Sequence, residues 1–190
     1  MEDTNGLPMT HKEIIHEILS WLLVIAVAFV LAFVITHFVI IKAQVPSGSM
    51  ENTIQIGDRL IGLRTSYLFS DPKRGDIIIF KYPDDESQDF IKRIIGLPGE
   101  TVTITDGVVY VDGVELKENY IKEPMDDEDY GPYVVPADSY FVMGDNRNDS
   151  KDSRFWSTTN YVKRSQILGK AWFRYSPSFS KYKSVDYSAE

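Results

Sequence analysis

Three observations predict a mainly β domain carried on a single N-terminal membrane helix. Ile18 to Ile41 is a run of 24 residues without a formal charge. Beyond it come short runs rich in Val, Ile, Thr, Phe and Tyr, separated by Gly, Pro, Asp and Asn. Asp106-Gly107 and Asp112-Gly113 fall between such runs as two-residue hairpin signals. The expected fold is an antiparallel, folded-over and barrel-like sheet system with no soluble helix of substance. A chain of 190 residues has room for one domain of ordinary size beside the helix.

Residues 1–17 read as a polar tail, with Glu2, Asp3, Glu13 and Glu17 against Lys12. Residues 18–41 read as the membrane helix. At about 1.5 Å per residue that run spans about 36 Å, enough for a hydrocarbon core of about 30 Å with some tilt. A cleaved signal peptide would have a basic start and an apolar region of only about 7 to 15 residues, and a buried core helix would carry a polar face. Lys12 on one side against Lys42, Arg59 and Arg64 on the other leans weakly towards a cytoplasmic C-terminal domain.

Residues 42–175 form the expected β domain. Its strands are predicted at Arg59–Leu63, Asp76–Tyr82, Phe90–Ile95, Thr101–Thr105, Val108–Val111 and Ser139–Met143. Glu123 to Tyr130 reads as a solvated acidic loop, because its spacing matches no EF-hand. Tyr67-Leu68-Phe69 is either an interfacial anchor or the end of a core strand. Residues 176–190, rich in Ser, Tyr and Lys, read as a flexible C-terminal tail.

Composition excludes several chemistries. The net charge is −8, of which the first 17 residues supply −3, leaving −5 for everything after the helix. A nucleic-acid partner needs a basic surface and is not expected. There is no cysteine, and no histidine follows His37. A Ser-His-Asp triad, thiol catalysis and a histidine or cysteine metal site are therefore absent from the β domain, and no cofactor or metal is expected.

A hydrolase built from what remains needs a serine or threonine activated by lysine, or a pair of carboxylates. A lysine base must be neutral, so its ordinary pKa near 10.4 has to fall through apolar burial. Lys92 has the right context, in Phe90-Ile91-Lys92-Arg93-Ile94-Ile95. Alternation sends it to the face of Phe90 and Ile94 while Arg93 points the other way. From pattern alone it reads rather as a strand lysine whose stem covers apolar surface while its head reaches water. Ser47 and Ser49, in Pro46-Ser47-Gly48-Ser49-Met50, read alone as loop serines.

Four stretches in order change that reading. They are Pro46 to Met50, then Arg74-Gly75-Asp76-Ile77-Ile78, then Lys92 to Glu100 (with Gly96-Leu97-Pro98-Gly99), then Gly144-Asp145-Asn146-Arg147 to Ser150-Lys151-Asp152-Ser153-Arg154. Together they resemble type I signal peptidase of the bacterial kind, from the membrane helix to about Ala171. The resemblance implies Ser49 as nucleophile, Lys92 as general base, and Ser47 beside the Ser49 N–H as oxyanion donor. It implies that Ser150 orients the lysine, that Asp145, Asp152 and Arg154 brace the site, and that Val45, Met50, Ile54, Phe90 and Ile91 wall shallow pockets for Ala-x-Ala sites.

The implied protein is a monomeric endopeptidase of the bacterial cell membrane. Its partners are secretory preproteins and lipid, its N-terminus is cytoplasmic and its catalytic domain lies outside, against the weak charge lean. Ser157 stands where the family usually has glycine, and a large insertion found in some members is absent. Two rivals remain open: a membrane-tethered binding module, and a self-cleaving regulator, which would need a DNA-binding helix-turn-helix that 17 residues cannot hold.

Overall fold

A computed structural model of the chain describes residues 11–182, Val185 and Tyr187. The first ten residues of the expected N-terminal tail, and residues 183, 184, 186 and 188–190 of the expected C-terminal tail, lie outside the described residues. Two compact units result, one ending at Val39 and one beginning at Ile40.

The first unit is helix α1 (His11–Val34), which continues as a π-helical turn over Ile35–Val39. Its 29 residues, none of them buried, contain an 18-residue window of mean hydropathy 3.0 and are long and apolar enough to cross a membrane. The helix starts seven residues before the expected 18–41 and ends two residues earlier than expected. Ile40 and Ile41 belong instead to strand β1 (Ile40–Gln44), paired with Leu63 and Gly62. β-Branched residues serve a membrane helix or a strand alike, so hydropathy could not place this boundary; cross-strand pairing does.

The second unit is mostly antiparallel β, as expected. Its larger sheet contains β1, β2 (Arg59–Leu63), β3 (Ile77–Tyr82), β4 (Asp85–Gly96), β9 (Ser139–Met143), β10 (Val162–Lys163) and β11 (Ile167–Ser176). Their order is β1-β2-β11-β3-β4-β9-β10, with β12 (Ser180–Lys181) added on β11. The smaller sheet runs β7 (Val114–Glu115), β6 (Val108–Val111), β5 (Thr101–Thr105), β8 (Tyr130–Val134). Both Asp-Gly pairs form the expected hairpin turns, with left-handed backbone at Asp106, Gly107, Asp112 and Gly113.

Of the twelve strands among the described residues, six lie where the sequence pattern put them. β1 was hidden in the apolar run, and β7, β10 and β12 are only two residues long. β8 carries Gly131-Pro132, which reads as punctuation, and the alternation of β11 is broken by bulges against β2 and β3. The stretch expected to be a loose tail from Ser176 contains β12, and Tyr182 N–H donates to the Trp172 carbonyl at 3.0 Å.

β3 organises the core because it is apolar on both faces. Ile77 and Ile79 pack with Ile41, Met50, Ile54 and Leu60 on one side. Ile78, Phe80 and Tyr82 pack with Ile94, Tyr140, Val142 and Trp156 on the other. A third cluster joins β9 to the small sheet through Phe141, Met143, Val102 and Ile104. Each buried side chain of this size contributes about 1.5–3 kcal/mol. β4 is therefore held against β3 and β9, which fixes the height and facing of every residue along it.

Candidate active site

Ser49 occupies the loop between β1 and β2. Short backbone bonds hold that loop: Val45 N–H to Asp58 O at 2.9 Å, Gly57 N–H to Val45 O at 2.8 Å, and Ile54 N–H to Met50 O at 2.8 Å. The side chains of Val45, Met50 and Ile54 are buried beneath, so apolar plugs on both sides of Ser49 anchor it. From across the domain, Asn146 N–H donates to Ser49 O at 3.1 Å and Asn146 Nδ2 to Gly48 O at 3.1 Å. Gly144 lies so close to Ser49 O and Ser150 Oγ that a Cβ there would overlap both.

Lys92 stands mid-strand on β4, opposite Ile78, on the face predicted by alternation. Its Nζ is 2.6 Å from Ser49 Oγ; its other hydrogen bond goes to Ile91 O at 3.1 Å. The residue is 4% exposed. Among the described residues no carboxylate comes within ion-pairing distance of it. Burial pushes its amine down to about 8, with Asp152 and Asp145 partly opposing.

Asp145, Asp152 and Arg154 are buried behind this pair. Asp152 accepts Arg154 Nε and Nη2, both at 2.9 Å, and also the Gly144 N–H at 3.0 Å. Asp145 pairs with a residue to which the sequence reading gave no role: Arg93 donates to it through Nε at 2.8 Å and Nη2 at 2.6 Å. Burial disfavours the Arg93 charge, but the hydrogen bonds and charge of Asp145 more than offset it. Thr53 Oγ1 also donates to Asp145, and the Tyr120 ring lies 4.0 Å from the guanidinium. The one signal for Arg93 in the sequence was a second cation inside an apolar strand.

Ser150 lies near the site, and among the described residues its Oγ is buried without a hydrogen-bond partner. Ser47 is exposed at the rim. Among the described residues neither the Ser47 hydroxyl nor the Ser49 N–H donates to another protein group. Ser49 and Lys92 open on a cleft of about 620 Å³ whose walls include Val45, Met50, Ile54, Phe90 and Ile91, all five of the expected pocket residues. Ser157 leaves its turn intact because the Asp84 carboxylate accepts the backbone N–H of both Ser157 and Thr158, a device indifferent to side chain.

A reactive-looking Ser–Lys pair in an apolar cleft, with no histidine in the domain, has relatives. Residues 18–176 match the family model described as signal peptidase, peptidase S26. The chain belongs to the S26 signal peptidase family. It is 48% identical to a signal peptidase I of Leptolyngbya laminosa, over 80% of this chain and 77% of that one. It is 33% identical to signal peptidase I T of Bacillus subtilis, over 93% of this chain and 94% of that one. The crystal structure of a signal peptidase I from Enterococcus faecalis is 37% identical, with a TM-score of 0.46, covering 53% of this chain and 97% of that chain. Membership makes the chain a serine endopeptidase of signal-peptide processing, and the N-terminal apolar helix fits a membrane protein.

Proposed function

We propose that this signal peptidase cleaves secretory preproteins with a Ser49/Lys92 dyad through an acyl-enzyme. The observation that carries the proposal is the 2.6 Å approach of Lys92 Nζ to Ser49 Oγ inside an apolar site. With the amine neutral, Ser49 O–H donates to Nζ and gives up its proton as Oγ attacks the scissile carbonyl. The carbonyl oxygen becomes an oxyanion, met by the Ser49 N–H and the Ser47 hydroxyl, two donors with no other protein acceptor. The charged lysine then protonates the departing amine. Neutral again, it takes a proton from the water that attacks the acyl carbon and returns it to Ser49.

The shallow apolar walls at Val45, Met50, Ile54, Phe90 and Ile91 suit small side chains, which supports cleavage after Ala-x-Ala sites. The unpartnered buried hydroxyl of Ser150 supports a place for it in the reaction centre, since folds seldom leave such a group unsatisfied. Asp145, Asp152 and Arg154 act as braces. Residues 18–41 would anchor the chain in lipid with residues 1–17 in the cytoplasm and residues 42–175 outside, where preproteins emerge. Every proposed group comes from one chain, which fits a monomer.

The test is incubation with a synthetic preprotein and mass spectrometry of the product ends. Ser49→Ala and Lys92→Ala are expected to leave the preprotein intact, and Ser47→Ala to slow single turnover by about 10²–10³-fold. Full cleavage by either dyad variant would end the proposal.

A further inference from the structure

β12, Val185 and Tyr187 lie beyond the stretch that matches the family model, yet Val185 and Tyr187 return to the back of the site. Tyr187 Oη donates to Tyr120 Oη at 3.0 Å, and Tyr120 Oη in turn donates to Glu118 at 2.5 Å. Glu118 holds Arg147, whose Nε donates to the Gly144 carbonyl at 3.0 Å. The Tyr120 ring covers Arg93 at 4.0 Å. At Gly75, whose carbonyl accepts Arg93 Nη1 at 2.9 Å, the backbone has φ +84°. An added Cβ there would stand 2.5 Å from Val185 O and 3.2 Å from the Tyr187 ring, so glycine is what admits this segment.

We propose that Val185 and Tyr187 form a positioning clasp: seated on Gly75 and Tyr120, they keep Arg93 locked on Asp145 and so hold Ser49 in place beside Lys92. The inference rests on the dyad reading above. Two links connect the clasp to the chemistry. Asp145 is followed by Asn146, whose N–H holds Ser49 O. Asp145 is also one of two carboxylates acting on the Lys92 amine, the other being Asp152. Asp152 has its own ion pair, with Arg154. The other charged groups lining the cleft are Asp89, Asp149, Lys151 and Lys42. Loosening Arg93 exposes Lys92 to more of the Asp145 charge, which favours the ammonium form.

The test compares the full chain with a chain ending at Tyr182 and with full-length Tyr187→Ala and Tyr187→Phe, using a synthetic preprotein across about pH 6 to 10. The truncation and Tyr187→Ala are expected to lower kcat by about 5- to 30-fold with KM little changed. They should also move the alkaline rise of activity upward by about half a unit or more. Tyr187→Phe, which keeps the ring, should lie between them and the parent. A pH profile and kcat per folded molecule equal to the parent would overturn the clasp, even if melting temperature fell. Cleavage by Ser49→Ala in the same series would instead overturn the dyad reading itself.

Discussion

Lys92 and Arg93 are neighbours on β4, both nearly inaccessible, and the domain treats them in opposite ways. Arg93 is 1% exposed and charged, with a bidentate carboxylate, a carbonyl and an aromatic ring around its guanidinium. Lys92 is 4% exposed and faces a hydroxyl, one carbonyl and Phe90. Burial acts against charge on both faces. Only Arg93 has a partner strong enough to outweigh it, so one face of the strand holds a charged anchor and the other an amine lowered to about 8, the base of the proposed mechanism. The difference shows that depressing a lysine takes the absence of a direct counter-ion, while the ion pair that steadies the site is placed one residue away, facing backward.

The comparison breaks hardest at Lys92. Lys92→Ala should lower kcat/KM by at least about 10³-fold while the protein still folds, measured by preprotein cleavage and circular dichroism. Arg93→Met attacks the other face and should unfold rather than merely inactivate. It leaves Asp145 buried and unpaired, a loss of about 3–5 kcal/mol in urea unfolding. Arg93→Met combined with Asp145→Leu should recover part of that stability but little activity, because Asn146 loses its mooring.

A third substitution sharpens the contrast by its sign. The folded-state pKa of Lys92 lies below its unfolded value of 10.5, at about 8. Its burial therefore costs stability in full below about pH 8 and stops costing above pH 10.5, with a magnitude on the order of 3 kcal/mol. Lys92→Met should raise stability at pH 6 by up to that amount and leave it unchanged at pH 10.5. The smallest effect is expected at Ser157, where Asp84 grips backbone N–H groups; Ser157→Gly should change stability by less than about 0.5 kcal/mol.

The face of Lys92 was legible in the sequence because strand alternation and an apolar context act locally, whereas the cleft walls were expected from the family resemblance alone. The partner of Arg93 was not legible. Asp145 lies 52 residues away and reaches it only through the β4–β9 pairing. β1 escaped notice because two isoleucines satisfy a bilayer and a sheet equally, and the ordering of Ser180 to Tyr182 depends on β11, whose bulges hide its own alternation. The orienting role expected of Ser150 followed from resemblance alone, while the contact of the Lys92 amine with the Ile91 carbonyl carries no sequence signal.

The pH dependence of kcat/KM on a synthetic preprotein tests the central claim, a lysine base made available by burial, most directly. The account predicts a single rise with unit slope centred near the depressed value of about 8, followed by a plateau. A profile flat across that range, or a rise centred at the ordinary lysine value of 10.5, would contradict it.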